Sequence, residues 1–260
     1  MHVTLRGGKP WKGRKGWKGQ SDRGRDGKTS LPLLPLLPLL PMMKPLIIAI
    51  DGPSGAGKGT VARAVASSLN YRHVDSGAMY RAVAWKARRD GVALDDEDAV
   101  AAVALASSIA VTPHVTIDGE NVTREIRTPE IDRAAAAVAK LPKVRAVLVR
   151  RQREEGAGGG IVMEGRDIGT VVFPHADVKI YLDATPEERA RRRAADPAHT
   201  GGPATVADVV TALAARDELD RTRTTSPLKV ADDAERIDTT GKPIAQVVDE
   251  VLAVVARRIN

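Results

Sequence analysis

One stretch near the start of the chain decides the fold. Residues 46–60 read LIIAIDGPSGAGKGT. The apolar run that opens the stretch is typical of a strand buried on both faces of a sheet. The glycines that follow allow the backbone to adopt positive φ and to approach a ligand closely. The N–H groups of such a loop, together with the N-terminus of the next helix, bind anions. The stretch therefore predicts a strand, a phosphate-binding loop and a helix in succession.

The predicted phosphate-binding loop has nine residues, which are Gly52, Pro53, Ser54, Gly55, Ala56, Gly57, Lys58, Gly59 and Thr60. In such loops the lysine places a point charge near the β- and γ-phosphates, and the hydroxyl lies near a bound magnesium ion. The motif therefore predicts ATP or GTP binding. The guanine-reading motif Asn-Lys-x-Asp does not occur in the sequence, and Gly59 separates Lys58 from Thr60. This ending resembles nucleoside monophosphate kinases rather than signalling GTPases.

The charge of the chain is unevenly distributed. The 260 residues carry a net charge of +7 and include no cysteine. Residues 1–44 contain ten Lys/Arg and two Asp, which leaves 30 basic and 31 acidic side chains for residues 45–260. The basic excess therefore gives no argument for nucleic-acid binding by residues 45–260. The lack of cysteine excludes disulfides and thiolate metal sites and suits the cytoplasm, where we expect the protein. No apolar run of 18 residues occurs, so we expect no membrane span.

The segment 1–44 is expected to be a disordered basic tail or to lie upstream of the true start. Its first 30 residues are rich in Gly, Lys and Arg, and residues 31–41 repeat Leu-Leu-Pro, which favours polyproline II. The prolines interrupt the apolar run that a signal peptide would need. Three interpretations remain open: translation begins at Met42 or Met43, the tail is inert, or the tail binds RNA or a membrane surface.

Strand and helix signals alternate along residues 45–260. Strands are predicted at 46–50, 161–163 and 178–182 and near Ile237. The first predicted helices run from the loop through Leu69, over 76–90 with Ser76 as the cap, and after Asp95. Further helices are predicted from Thr128, from Pro142 through Glu155, and at 186–195, 206–219 and 244–258. This alternation predicts an α/β fold with a parallel sheet between helices. The stretch Ile109–Val122 breaks the pattern and predicts an antiparallel hairpin inside an insertion.

A second set of polar residues follows the predicted strand ends. Asp75-Ser76-Gly77 enters a helix, and Gly165-Arg166-Asp167 follows the strand that ends at Glu164. Ligands of open parallel sheets bind beyond the carboxyl ends of the strands, so we expect these residues to meet in one crevice. A transferring phosphoryl group needs several cations around it. The candidates are Arg81, Arg127, Arg145, Arg166 and Arg223.

The chain from Ile47 onward resembles the bacterial cytidylate kinases. The matching runs are 50–60 (IDGPSGAGKGT), 75–81 (DSGAMYR), 125–128 (EIRT), 144–145 (VR), 150–153 (RRQR), 165–174 (GRDIGTVVFP) and 216–223 (RDELDRTR). The resemblance implies a P-loop kinase over residues 45–260, with a monophosphate-binding insertion at about 95–142 and a lid at about 186–204. It implies transfer of the γ-phosphoryl group from ATP, with Mg²⁺, to CMP or dCMP. Open alternatives are a kinase of the same fold for UMP, AMP or another small acceptor, and a nucleotide sensor with an RNA- or membrane-binding tail.

The resemblance also implies roles for individual residues. The catalytic set is Lys58, Arg166, Asp167 and Arg192, the substrate-binding set is Ser76, Arg81, Arg127, Arg145, Arg166, Asp167, Arg216, Asp220 and Arg223, and the metal-binding pair is Thr60 and Glu164. Asp167 would accept a hydrogen bond from the exocyclic amine of cytosine, whereas the carbonyl of uracil would repel it. We expect a monomer that binds small-molecule substrates.

Two positions depart from the family pattern. Ala136 stands where many members carry a serine that helps to read cytosine, and the loss of one buried hydrogen bond costs on the order of 1 kcal/mol. Glu164 stands where an aspartate is common, and its extra methylene would move a magnesium-bound water without removing it.

Overall fold

The computed structural model describes residues 45–196 and 206–259. In chain order the elements are β1 (Ile47–Asp51), α1 (Lys58–Leu69), β2 (Arg72–Asp75), α2 (Ser76–Arg89), α3 (Glu97–Ala106), β3 (Ile109–Ala110), β4 (Thr116–Ile117), β5 (Glu120–Asn121), α4 (Pro129–Val138), α5 (Pro142–Gly156), β6 (Ile161–Gly165), a π-helical turn (Ile168–Val172), β7 (Val178–Asp183), α6 (Pro186–Ala194), α7 (Val206–Thr222), β8 (Glu235–Asp238) and α8 (Ile244–Ile259). The predicted tail 1–44 and the lid residues 197–204 lie outside the described residues. Within the described ranges, no helix combines the length and apolar content that a bilayer crossing needs.

Five strands form the main sheet, in the order β2-β6-β1-β7-β8. All neighbouring strands are parallel, which confirms the predicted α/β architecture. Successive side chains of a strand point to opposite faces. Ile48 and Ile50 of β1 accordingly pack in one core layer with Val65 of α1 and Val251 of α8. Ala49 packs in the opposite layer, with residues of α2 and α5. The apolar run of β1 is therefore buried on both faces, as predicted.

The predicted hairpin is present as part of a smaller sheet. β4 and β5 are antiparallel and joined at Asp118 and Gly119, which both have positive φ (52° and 82°). Two such residues are typical of a tight hairpin turn. β3 adds a third strand, which the sequence did not predict. Ile117 and Val122 pack against Ala82 of α2, so the small sheet is fixed to the helix that follows β2.

The strand order places the phosphate-binding loop at the topological switch point of the sheet, where the connections between strands change direction. β1 lies between β6 and β7, and the loop leaves its carboxyl end. Gly52 has φ 149°, and a Cβ at this position would lie 2.0 Å from the carbonyl oxygen of Leu182 in β7. No residue with a side chain fits so close to a backbone carbonyl. The loop therefore begins in direct contact with the neighbouring strand, beside the crevice where ligands of such sheets bind.

The prediction that Ser76 caps α2 is wrong. Asp75 is the capping residue, and its Oδ1 accepts a hydrogen bond of 3.0 Å from the backbone N–H of Ala78. Ser76 is instead the first helical residue, and its hydroxyl donates to the carbonyl oxygen of Glu164 at 2.6 Å. The hydrogen bond of the Ser76 hydroxyl ties the start of α2 to the end of β6, where the next group of site residues begins.

A π-helical turn (Ile168–Val172), not predicted from the sequence, follows Arg166 and Asp167. The buried carboxylate of Asp51 accepts hydrogen bonds from the N–H groups of Ile168 (2.8 Å) and Gly169 (2.7 Å). Burial raises the pKa of Asp51 to about 6, although both N–H groups oppose that rise. The last residue of β1 therefore fixes the segment that carries Arg166 and Asp167.

Candidate active site

A cavity of about 700 Å³ opens beyond the carboxyl ends of β1, β2 and β6. Of the phosphate-binding loop, the residues from Gly55 to Thr60 line this cavity, and Gly52, Pro53 and Ser54 do not. The structure also brings every other predicted site residue to its wall, namely Ser76, Arg81, Arg127, Arg145, Glu164, Arg166, Asp167, Arg192, Arg216, Asp220 and Arg223. Residues far apart in sequence therefore share one space of a size that holds small molecules.

The loop presents backbone donors and one buried lysine. Gly57 has φ 87° and precedes α1 without a side-chain cap, so the N–H groups of the first turn stay available. Lys58 Nζ donates to the carbonyl oxygen of Pro53 at 2.7 Å, across the loop. Burial and, to a lesser extent, the charge of Arg166 lower the pKa of Lys58 to about 7, against the opposing effect of Glu164. Lys58 and Arg166 line the same cavity, so both cations face a ligand that occupies it.

Three arginines share one buried carboxylate. Asp220 Oδ2 lies 2.9 Å from Arg166 Nε and 3.5 Å from Arg216 Nε, and Asp220 Oδ1 lies 3.8 Å from Arg223 Nη1. Burial opposes ionisation of Asp220, but the three guanidinium groups together lower its pKa. Because a carboxylate accepts several charge-assisted hydrogen bonds, Asp220 holds the three cations side by side before any substrate arrives.

Arg81 is held in a similar way at the start of α2. Its Nη2 lies 2.7 Å from Oδ2 of Asp75, the residue that caps this helix. Burial opposes ionisation of Asp75, but Arg81 and the Ala78 N–H lower its pKa, with a smaller contribution from Arg127. One aspartate thus starts the helix and positions an arginine on the cavity wall.

A buried ion pair forms another part of the wall. Arg145 is 2% exposed and pairs with Asp167, which is 6% exposed. Arg223 Nη2 lies 3.6 Å from the second carboxylate oxygen of Asp167. The Arg145 guanidinium also lies over the ring of Tyr80, 5.5 Å from its centroid. The pair offers a planar ligand both acceptors and donors in fixed positions.

The neighbouring helix α4 contributes small side chains. Ala135 and Ala139 line the cavity, whereas Ala136 does not. The position that matches the family's serine therefore lies beside the cavity wall rather than on it. A base that enters here meets apolar methyl groups from α4.

Four residues that line the cavity each carry a buried donor atom that makes no hydrogen bond in the described part of the chain. Among residues 45–196 and 206–259, Nε of Arg81, Nε of Arg145, Nη2 of Arg223 and the hydroxyl of Tyr80 are buried without a hydrogen-bond partner. Buried donors in native proteins are nearly always satisfied. Each of the four atoms is shielded from solvent, so substrate oxygens would reach them only after the side chains move.

Sequence reasoning missed Tyr80. It lies one helical turn after Ser76 on α2, and this spacing was the available signal, since residues four apart share a helix face. Burial raises the pKa of Tyr80 to about 12, so its hydroxyl remains a donor.

The arginines of α6 are already engaged. Arg192 Nε donates to Glu188 Oε1 at 2.8 Å, and its Nη1 and Nη2 donate to the hydroxyl and carbonyl oxygens of Thr239 at 2.9 and 2.6 Å. Arg189 is buried, pairs with Asp217 and donates to the carbonyl oxygen of Ser54 at 3.1 Å. Arg189 therefore fixes α6 to the phosphate-binding loop, and Arg192 lies on the cavity wall.

The start of α8 forms an end of the cavity that sequence reasoning also missed. Thr239, Lys242, Pro243, Ile244 and Val247 line it. Thr239 follows β8 directly, so the rule that ligands bind at the carboxyl ends of parallel strands could have found this segment. Its hydroxyl also contacts the carbonyl oxygen of Ala56 at 3.2 Å, which holds the loop against it. This end is suited to an apolar, planar group.

The predicted metal pair fits a hard cation. Thr60 and Glu164 both line the cavity, and the Glu164 carboxylate lies over Gly59, where a Cβ would be 3.0 Å from Oε1. Mg²⁺ binds oxygen ligands and is usually held by one or two carboxylates together with substrate phosphates. The described part of the chain contains no group of three or more His, Cys, Asp or Glu that could hold a metal alone. A carboxylate and a hydroxyl beside a phosphate-binding loop match this kind of site.

Comparison with known proteins gives a consistent result. Residues 48–257 match the family model described as cytidylate kinase. The cytidylate kinase of Pelotomaculum thermopropionicum is 48% identical over 212 residues, which cover 79% of this chain and 94% of that protein. The cytidylate kinase of Desulfitobacterium hafniense is 47% identical over 214 residues, with 81% and 92% coverage.

Proposed function

The chain belongs to the cytidylate kinase family, and we propose that it transfers the γ-phosphoryl group of ATP to CMP or dCMP, giving ADP and CDP or dCDP. One observation carries the proposal. A single cavity joins the phosphate-binding loop to a cluster of arginines, and Arg166 is close enough to Lys58 to lower its pKa. Two polyanions that occupy such a cavity lie within reach of direct exchange.

The donor ATP occupies the loop side of the cavity. The N–H groups after Gly57 and the ammonium of Lys58 contact its phosphates, and the apolar residues at the start of α8 receive the adenine. Thr60 and Glu164 would hold Mg²⁺ directly or through water. When bound, Mg²⁺ neutralises charge on the β- and γ-phosphate oxygens.

The acceptor occupies the arginine side. Arg166 and Arg223 bind its phosphate, assisted by Arg81 and Arg127, whose positions on the wall suit a dianion. The Ser76 hydroxyl already donates to the backbone carbonyl oxygen of Glu164, so its oxygen accepts a hydrogen bond from the sugar.

Sugar and base are recognised by the remaining polar groups. Asp220 and Arg216 contact the sugar, and Asp167 accepts from the exocyclic amine of cytosine. Arg145 donates to the acceptor edge of the base, since a guanidinium offers donors only.

Transfer proceeds by in-line attack of an acceptor phosphate oxygen. This oxygen is already ionised near neutral pH, so no strong general base is needed. Lys58 and Arg192 neutralise the charge that develops on the transferring group. Arg192 must release Thr239 to do so, and this exchange couples closure of α6 to substrate binding.

The test is a coupled assay across nucleoside monophosphates at fixed MgATP. We expect CMP and dCMP to give the highest kcat/KM. Equal turnover of AMP and CMP would contradict the proposed acceptor, and transfer to no monophosphate would overturn the kinase itself.

Deletion of residues 1–41 addresses the alternative of a nucleotide sensor. We expect the kinase activity of the shortened chain to equal that of the full chain. Salt-sensitive RNA binding that disappears with the tail, without kinase activity in either chain, would favour the alternative.

We also propose a cytoplasmic monomer. The proposed substrates are cytoplasmic nucleotides, and residues of one chain form both halves of the cavity. Light scattering coupled to size-exclusion chromatography measures the oligomeric state directly.

A further inference from the structure

We propose that His73 is a positioning residue for Glu164, holding its carboxylate in place for the magnesium ion of the phosphoryl transfer. The proposal rests on the function proposed above. Its central observation is a contact between two strands: His73 Nε2 lies 3.0 Å from Glu164 Oε1. The His73 side chain is 16% exposed and that of Glu164 9%, so water has little access to the contact.

The parallel pairing of β2 and β6 makes this contact possible. His73 is opposite Val162 in the ladder, and Asp75 is opposite Glu164. Because side chains alternate along a strand, His73 and Glu164 lie on the same face of the sheet. Val162 packs with residues of α1, so this is the face that carries the phosphate-binding loop. His73 lies two residues before Asp75, the ladder partner of Glu164, so its side chain reaches the carboxylate diagonally across the two strands.

Glu164 has need of such a partner. A glutamate has one more rotatable bond than the aspartate common at this position in the family, so its carboxylate samples more positions. Gly59 lies directly beneath and brings no side chain to the carboxylate, since a Cβ there would be 3.0 Å from Oε1. Within the described residues, His73 is the hydrogen-bond partner that the structure gives the Glu164 carboxylate.

The geometry leaves the carboxylate free to serve the metal. A carboxylate only accepts hydrogen bonds, so the ring nitrogen is the donor in this contact. It occupies one position on Oε1 and leaves Oε2 for the ion or its water. His73 is itself fixed, because β2 pairs with β6 and the hydroxyl of Thr112 donates to its carbonyl oxygen at 2.6 Å.

Partners of metal ligands have a measurable effect. Their loss commonly weakens metal binding about 10- to 100-fold. A merely structural histidine would lower stability and leave metal affinity unchanged, so the two roles can be separated.

The experiment compares five variants with the wild type. His73→Asn shortens the side chain so that it no longer reaches Glu164, and His73→Gln returns an amide donor to about the position of Nε2. Arg72→Gln is the matched control, because Arg72 is the neighbouring residue of β2, pairs with Glu155 and lies outside the cavity. The double variant Glu164→Asp/His73→Asn is compared with the single variant Glu164→Asp, in which the shorter aspartate side chain no longer reaches residue 73.

The main readout is Mn²⁺ affinity of the ADP-bound protein, measured by electron paramagnetic resonance. The Mg²⁺ concentration for half-maximal kinase activity and the midpoint of urea unfolding are measured in parallel. We expect His73→Asn to weaken Mn²⁺ binding about tenfold or more. The Mn²⁺ affinity of His73→Gln and of Arg72→Gln should stay close to that of the wild type. In the Glu164→Asp background, His73→Asn should cause no further loss of Mn²⁺ affinity.

Two results would overturn the inference. One is wild-type Mn²⁺ affinity in His73→Asn, and the other is an equal loss in His73→Asn and His73→Gln. Should His73→Asn fail to fold, the comparison of His73→Gln with His73→Leu decides in the same way. A wild type that binds Mn²⁺ with ADP but transfers no phosphoryl group would refute the proposed function and leave the test of His73 valid.

Discussion

The substitution Asp167→Asn probes how the site distinguishes cytosine from uracil. It keeps the shape of the side chain and removes its negative charge. In the structure this carboxylate is the ion-pair partner of Arg145 and lies 3.6 Å from Arg223. The substitution therefore changes two things at once: the group presented to the base, and the compensation of two buried cations.

Each change has a calculable size. A hydrogen bond to a charged group contributes about 1.5–3 kcal/mol, which corresponds to roughly 10- to 150-fold in affinity. Asparagine accepts weakly from the amine of cytosine, but it can also donate to the carbonyl of uracil. The ratio of kcat/KM for CMP to that for UMP should therefore fall by about 10- to 100-fold. Loss of one partner of a buried ion pair should lower the free energy of unfolding by about 3 kcal/mol.

The assay measures kcat/KM for CMP and UMP at saturating MgATP, together with urea unfolding. Asp217→Asn is the matched control, because Asp217 is 2% exposed, pairs with the buried Arg189, and does not line the cavity. It should lose similar stability and keep the wild-type ratio of CMP to UMP. If Asp167→Asn also keeps that ratio, Asp167 does not read the base.

Three further substitutions test other parts of the argument. Arg166→Ala should lower kcat by about 10²- to 10³-fold with the circular dichroism spectrum unchanged; a wild-type kcat would contradict its role. Because burial raises the pKa of Asp51 from 3.8 to about 6, the folded state binds more protons than the unfolded state between these values. Stability should therefore fall by about 3 kcal/mol as pH rises through that window, and Asp51→Asn should remove this slope; parallel pH profiles of unfolding would refute it. Gly52→Ala places a Cβ 2.0 Å from the Leu182 carbonyl oxygen, so ATP binding measured by calorimetry should be lost; wild-type affinity would show that the loop can move.

Local signals predicted the fold well. The strand and loop of residues 46–60 lie next to each other in sequence, and glycines at this spacing after a buried strand are typical of a phosphate-binding loop. The cap of α4 was also predicted, because Thr128 followed by Pro129 has few alternatives. Each of these features depends on neighbours within a few residues.

Choices between equivalent residues needed the tertiary structure. Asp and Ser are nearly equal as helix caps, so the sequence could not rank Asp75 against Ser76. The carbonyl oxygen of Glu164 decides, because it accepts the hydroxyl of Ser76 and leaves Asp75 for the helix. The alanine run 134–137 poses the same difficulty, since identical side chains carry no helical period. Only the fold shows that Ala135 lines the cavity and Ala136 does not.

The arginine cluster shows how residues 45–260, near neutral overall, can still gather two polyanions. The residues that line the acceptor side of the cavity include six arginines (81, 127, 145, 166, 216 and 223) and four aspartates (75, 132, 167 and 220). The aspartates fix the arginines, since like charges held this close would otherwise repel. Six arginines and four aspartates leave an excess of two positive charges, which a monophosphate dianion can neutralise. Binding therefore replaces repulsion between fixed arginines by attraction to phosphate, without reorganisation of the arginines that the aspartates hold. On this argument each aspartate is as necessary as the arginines it holds, because an arginine left to rotate would have to be ordered again at every turnover.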